Sequence, residues 1–308
     1  MKKLTMSNLI EEVNTNLKQA IPESHLNTDL EESMMYSLQA GGKRIRPVLL
    51  LLTLNMLNEN YHKGLQSALA LEMIHTYSLI HDDLPAMDDD DYRRGKLTNH
   101  KVYGEWKAIL AGDALLTKAF ELVSNDDLIE DNVKVKVLQR LSKASGHIGM
   151  VGGQTLDMQS ENQTVDLKTL ESIHKAKTGA LLTFAVMAAV DIAQVDQKTS
   201  HNLNEFSEHL GLMFQIKDDL LDVYGDEKKI GKAVGSDESN NKSTYVSLLG
   251  KEGAEDKLEY HKNQALECLN NISSQYQTSE LIKIVDLFYN RDHSVSYTHL
   301  TLPTIYSV

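Results

Sequence analysis

The sequence predicts an all-α protein built as one domain of roughly eight to ten helices. Three observations carry that expectation. Apolar residues recur at three- and four-residue steps along most of the chain. Only 4 prolines and 6% aromatic residues occur in 308 positions, too few turn-formers for a β fold. Strand-turn-strand signals of comparable strength are missing, as are solenoid-like repeats and a proline- or serine-rich linker before residue 293.

Taken in chain order, the segment Gly41-Gly42-Lys43-Arg44-Ile45-Arg46-Pro47 opens an early helix, with proline tolerated in its first turn. Residues 65–81 carry an apolar stripe through Leu65, Leu69, Met73, Tyr77 and Ile80. Breaks follow near 95–104 and 145–153. Lys177-Thr178-Gly179 then opens a helix over 177–192 that is apolar almost all round, so it should lie at the centre, covered on every side. Residues 203–224 repeat the helical pattern with Leu203, Phe206, Leu210, Met213, Phe214 and Leu221, and further breaks fall near 225–241 and 250–253. Ser294 to Val308 contains no Asp, Glu, Lys or Arg, unlike everything before it. It is read as a non-native tail, leaving residues 1–293 as the domain.

Composition narrows the function. The formal net charge of −13 argues against nucleic-acid binding, which needs a basic face. A single cysteine, Cys268, rules out an intramolecular disulfide and a cysteine-based zinc site. The N-terminus lacks an apolar signal core, and the longest apolar runs are shorter than the ~20 residues that span a bilayer, so a cytoplasmic protein is expected.

Two aspartate clusters stand against this ordinary background. The first runs from His81-Asp82-Asp83-Leu84-Pro85-Ala86-Met87-Asp88 to Asp91, the second is Gln215-Ile216-Lys217-Asp218-Asp219-Leu220-Leu221-Asp222. Both interrupt apolar helices, where an unpaired carboxylate costs several kcal/mol. Such clusters call for cations. With only hard oxygen donors on offer the expected ion is Mg²⁺, bound through one or two carboxylates and completed by substrate phosphate oxygens. Asp218 and Asp222 are four apart and share a helix face, with Phe214 one turn earlier on the same stripe. Pro85 should end or bulge the first helix, bringing Asp88 near Asp82. Asp89, Asp90 and Asp91 are expected to face water or neighbouring cations. A calcium loop is excluded by its missing glycine and terminal glutamate.

Cations surround both clusters: Lys43 and Arg46, Arg93 and Arg94, Lys177, and Lys232 after the second cluster. Guanidinium groups bind phosphate bidentately and lysine supplies a point charge, so the set reads as a diphosphate clamp. His75 lies two turns before Asp82 and nearly in register with it, placed to hydrogen-bond phosphate. The glycine-rich segment at 41–44 is no nucleotide loop, since no Ser or Thr follows Lys43 and no strand precedes it.

Together with Gly153-Gln154-Thr155-Leu156-Asp157 and Lys242-Ser243-Thr244-Tyr245, these motifs make the chain resemble the trans-type prenyl diphosphate synthases, in particular the bacterial farnesyl-forming members, from about residue 5 to 293. The resemblance implies an isoprenoid-synthase bundle of about ten helices around a deep central cavity, acting as a homodimer on isoprenoid diphosphates. It implies that Lys43, Arg46, His75 and Arg94 bind isopentenyl diphosphate. Arg93, Lys177, Thr178, Gln215 and Lys232 would hold the allylic diphosphate. Asp82 and Asp88 would ligate Mg²⁺, Asp218 would join through a third ion or its waters, and Asp83, Asp219 and Asp222 would support them. The implied reaction condenses isopentenyl diphosphate with dimethylallyl or geranyl diphosphate to (2E,6E)-farnesyl diphosphate. Ideal spacing puts Ser78 beneath Asp82 and Tyr77 about 100° to its side. That Tyr77 floors the cavity and sets product length comes from the resemblance. The alternatives are a longer-chain synthase differing at that floor, a terpene cyclase, which would have no use for Lys43, Arg46 and Arg94, and a non-catalytic subunit.

Overall fold

A computed structural model describes residues 4–24, 26, 28–161, 163–225 and 242–291. Lys232 and the tail 294–308 lie outside these residues. The described chain is helical almost throughout, as α1 (Met6–Gln19), α2 (Thr28–Leu38), α3 (Ile45–Met56), α4 (Leu65–Asp82), α5 (Asn99–Tyr103), α6 (Glu105–Ser124), α7 (Asp131–Ser145), α8 (Met150–Gln159), α9 (Leu167–His174), α10 (Ala180–Ala193), α11 (Gln197–Tyr224), α12 (Tyr245–Asn270) and α13 (Ser279–Asn290).

The all-apolar helix lies where its composition requires. Leu181, Leu182, Phe184, Val186 and Ile192 of α10 are buried, against α3, α7 and α11. Around this axis α4 packs on α6, and α11 packs on α12 and α13. Boundaries follow the capping rules. Asp166 and Asp196 accept the backbone N–H of Thr169 and Thr199 at 2.8 and 2.9 Å, and Thr244 forms a capping box with Ser247. Within α12 the chain kinks at Gly250, whose φ of +71° a side-chain-bearing residue rarely adopts.

Two local features differ from the sequence expectation. Lys177-Thr178-Gly179 does not open the buried helix but falls in a π-helical turn, Lys175–Gly179, joining α9 to α10. The resulting run, Leu167–Ala193, is long and apolar enough to cross a membrane by length and composition alone, yet 61% of its apolar window is buried within the protein. The π turn is gripped on both sides by glycine. A Cβ at Gly153 of α8 would lie 2.2 Å from the Lys177 nitrogen, and one at Gly211 of α11 would lie 3.0 Å from the Gly179 Cα. The second difference is a minimal hairpin, Tyr92–Arg93 against Lys96–Leu97, turned by Arg94 and Gly95 at φ +54° and +74°. Two positive φ values are the mark of the type I′ turn, whose twist matches paired strands.

Candidate active site

Helix α4 brings His75, Tyr77, Ser78 and Asp82 along one element and ends at Asp82. The chain then turns through Pro85 and returns, so that Asp88 N–H donates to the Asp82 carbonyl at 2.9 Å and Asp89 N–H to that of Leu84 at 3.2 Å. Asp82 and Asp88 thereby share one rim. Burial pushes the Asp82 carboxyl up to about 6, with nearby Asp88 adding and Lys177 opposing. The Asp88 carboxyl, at the open edge, is raised as well; partial burial leads, and Lys177 and Lys242 oppose it. Crowded, desolvated carboxylates of this kind gain most from a cation.

Asp83 points elsewhere. It is buried and accepts Nε and Nη2 of Arg93 at 2.7 and 2.6 Å, a two-pronged pair. Arg93 also approaches Asp90 at 3.7 Å, whereas Asp91 is exposed and paired with Lys101.

A cationic hollow lies on the other side of α4. The loop before α3 runs through Gly41, Gly42 and Arg44 at φ of +96°, +134° and +52°. A side chain at Gly42 would be strained by the φ of +134° and would displace Arg94, whose Nη1 lies 2.8 Å from where a Cβ would sit and donates to the Gly41 carbonyl. Arg44 is buried and structural: it donates to Glu72 at 2.6 Å, to Asn14 at 2.9 Å and to the Leu38 carbonyl. Lys43 sits in the same loop. Burial, then the positive charge of Arg46, Arg94, Arg93 and Arg44, hold the His75 ring well below its ordinary pKa. The ring is neutral. Its Nε2 lies 3.4 Å from Arg46 Nη1 and accepts there, which leaves the proton on Nδ1. Arg94 is lowered to about 10, by burial first and then by its arginine neighbours. Several guanidiniums against one buried Glu72, with Arg46 Nε buried and unpartnered among the described residues, make a hollow suited to a multivalent anion.

The second cluster sits in mid-helix on α11. Asp218 meets Nη1 of Arg291 at 2.7 Å, and Arg291, the buried cap of α13, also donates to the Phe214 carbonyl and stacks on the Phe214 ring at 4.2 Å. Asp219 is buried and turned toward α12; it accepts Gln215 at 3.0 Å and the Tyr245 backbone N–H at 2.8 Å. Asp222 is buried on the same helix. The π turn links the two clusters: Lys177 acts on Asp82 and Asp88, while the Thr178 hydroxyl reaches Gln215 at 3.4 Å.

Between these groups opens a cavity of about 570 Å³. Arg46, His75, Asp82, Lys177, Thr178 and Ser78 are its polar lining, and Tyr77, Met87, Ile109, Met158 and Leu181 belong to its apolar lining. Tyr77 is buried with its ring 5.7 Å from that of His81, and its hydroxyl is pushed up to about 12, by burial and then by Asp82. Among the described residues no three acidic, histidine or cysteine side chains converge as a ready metal cage. The donor set is all hard oxygen, in ones and twos, which fits an ion that takes its remaining ligands from water and phosphate.

Sequence reasoning gave no role to Arg291, Glu72, Asp157 or Lys242. Asp157 and Lys242 stood inside quoted motifs, and Glu72 lay in an otherwise apolar stripe, a signal that a partner must be buried with it. Nothing in the sequence pointed to Arg291.

An all-α fold whose cavity joins Asp82, Arg46, His75 and Lys177 to a largely apolar lining suits an enzyme for a charged group carrying a hydrocarbon tail. The chain belongs to the polyprenyl synthetase family, whose profile matches residues 27–285. It is 50% identical over 283 residues to a farnesyl diphosphate synthase of Geobacillus stearothermophilus, covering 91% of this chain and 95% of that one. It is 51% identical over 277 residues to a farnesyl diphosphate synthase of Micrococcus luteus, covering 88% and 92%. The structure of a geranyltransferase from Legionella pneumophila superposes with a TM-score of 0.83 at 32% identity, covering 93% of this chain and 96% of that one.

Proposed function

We propose that the chain is a Mg²⁺-dependent prenyltransferase that adds isopentenyl diphosphate to dimethylallyl and then geranyl diphosphate, releasing (2E,6E)-farnesyl diphosphate and diphosphate. The observation that carries this reading is one cavity whose lining joins the Asp82 carboxylate and the cations Arg46 and Lys177 to apolar side chains and Tyr77. The likeness to farnesyl diphosphate synthases supports the fifteen-carbon product.

In this reading the cationic hollow of Lys43, Arg46, His75 and Arg94 takes isopentenyl diphosphate, the neutral His75 offering Nδ1–H to a phosphate oxygen. Arg93, Lys177, Thr178, Gln215 and Lys232 take the allylic diphosphate. Asp82 and Asp88, with Asp218 opposite and Asp83, Asp219 and Asp222 in support, would hold up to three Mg²⁺ ions. Bound there, Mg²⁺ supplies positive charge to the departing diphosphate. Lys177 stands ready on the same side, so the charge of the leaving group is met without reorganisation. The allylic cation forms against the apolar wall, where Met87, Ile109 and Leu181 exclude the water that would quench it. The isopentenyl double bond attacks it, and the proton lost afterwards goes to the departing diphosphate.

A homodimer belongs to the same proposal. Trp106 and Leu110 are exposed one turn apart on α6, Trp106 by 63%, with Val102 exposed on the neighbouring α5, an apolar patch that a second copy would cover. A cytoplasmic location is proposed with it.

The test is product length. Purified protein given isopentenyl and geranyl diphosphate with Mg²⁺ should yield a fifteen-carbon product, and Tyr77→Ala should extend it to twenty carbons or beyond. Absence of elongation by folded protein rejects the activity. A Tyr77→Ala variant that still stops at fifteen carbons rejects the floor assignment alone.

A further inference from the structure

Gly153 and Asp157 are four apart on α8 and share one face, and Glu161 follows in the turn just past its end. Gly153 lets α8 approach the π turn until backbone touches backbone at Lys177. One turn on, the Asp157 carboxylate accepts Lys177 Nζ at 2.6 Å and Lys242 Nζ at 3.4 Å through the same oxygen, Oδ2. Glu161 reaches the same Lys242 at 3.3 Å.

Asp157 is three-quarters or more shielded and still ionised. Burial pushes its carboxyl up, but Lys177 and Lys242 outweigh burial and leave it below the ordinary carboxylate value. The charge of the two lysines that it holds reaches the first cluster, as that of Arg93 does: Lys177 acts on both Asp82 and Asp88, and Lys242 on Asp88. Each ammonium is thus hydrogen-bonded to Asp157 while its charge is still felt at the rim carboxylates. A lysine has three donors on a flexible four-carbon stem, so its position is set by whichever anion holds it. Without Asp157 both ammoniums would relax onto Asp82 and Asp88 and occupy the oxygens a metal ion needs.

We propose that Asp157 is a positioning residue that holds Lys177 and Lys242 off the rim carboxylates and at the place where the allylic diphosphate binds. The proposal rests on the prenyltransferase reading above. It assigns Asp157 to the allylic half of the site, where its partners Lys177 and Lys242 lie.

The experiment compares Asp157→Asn, Asp157→Glu and wild type in steady-state elongation, varying geranyl diphosphate, isopentenyl diphosphate and Mg²⁺ in turn. Asp157→Asn should raise the KM for geranyl diphosphate and the Mg²⁺ concentration for half-maximal rate by about tenfold each, the scale of one charged hydrogen bond. The isopentenyl KM should stay within about twofold, and Asp157→Glu should recover most of the loss. Combining Asp157→Asn with Lys242→Met should cost less than the sum of the two, because one removes the other's partner. Equal rises in both substrate KM values, or an Asp157→Asn variant matching wild type, would overturn the assignment. Wild type that fails to elongate rejects the underlying reading, whereas wild type that elongates beside an unchanged Asp157→Asn rejects only this inference.

Discussion

The two aspartate clusters look alike in sequence and differ in physical state. Asp82 and Asp88 sit where α4 has ended, on a turn closed by the Asp88 N–H and the Asp82 carbonyl, and both carboxyls are held above their ordinary range by burial. Asp218 and Asp219 sit inside an unbroken helix, and groups of the chain already satisfy them: Arg291 for one, Gln215 and the Tyr245 N–H for the other. A helix interior supplies a fixed direction and near neighbours, so its carboxylates can be neutralised internally. At the helix end Asp83 is taken up by Arg93, which leaves Asp82 and Asp88 wanting a cation. In the second cluster Asp219 is built into the fold, and Asp218 would trade Arg291 for a metal ion.

The largest consequence is catalytic. Asp82→Ala should lower elongation by about 10³-fold, since it removes an oxygen at the point where leaving-group charge is met. Asp219→Ala should act mainly through folding, and comparison of the two at matched folded concentration separates the roles. Next in size is pH. A carboxyl with a folded value of about 6 is protonated below that point and then cannot bind a metal ion. Apparent Mg²⁺ affinity in the presence of inorganic pyrophosphate, corrected for the protonation of the free pyrophosphate, should therefore fall about tenfold per unit as pH drops below 6, and level off above it. Asp82→Asn should remove this dependence along with the binding.

The smallest effect is on stability, and its sign differs between the clusters. The Asp82 carboxyl is raised in the folded state, so the folded protein binds a proton more tightly there than the unfolded chain does. Its contribution is most favourable below the unfolded value and declines as pH rises through about 6. At neutral pH without metal, Asp82→Asn should thus stabilise the protein by about 1 kcal/mol. Asp219→Ala should destabilise it by about 1–3 kcal/mol, because the buried Tyr245 N–H loses its acceptor. Thermal melts of the metal-free variants read both. Equal signs would mean that the clusters are physically equivalent.

Much of this was legible in the sequence because it rested on period and punctuation. The shared face of Asp218 and Asp222 follows from helical spacing, and the turn after Asp82 from Pro85. The centre of the fold could be read from an apolar stretch with no polar face. What escaped depended on tertiary neighbours. Asp218 and Asp219 differ by one position, and only the packing of α12 and α13 decides which carboxylate turns to Arg291 and which to Tyr245. The hairpin at Arg93 and Arg94 escaped because its strands are two residues long and its turn begins with arginine, not the usual Asn or Asp before glycine. The π turn escaped because a single inserted residue hardly disturbs hydrophobic periodicity, although it places Lys177 against α8.

The difference between the clusters is tested most directly by calorimetric titration of Mg²⁺ with inorganic pyrophosphate into wild type, Asp82→Asn and Asp219→Asn at neutral pH. The two asparagines are equally conservative, so any contrast belongs to position. Binding heat should vanish for Asp82→Asn and persist for Asp219→Asn within about threefold of the wild-type affinity. Full binding by Asp82→Asn, or its loss only in Asp219→Asn, would contradict the account.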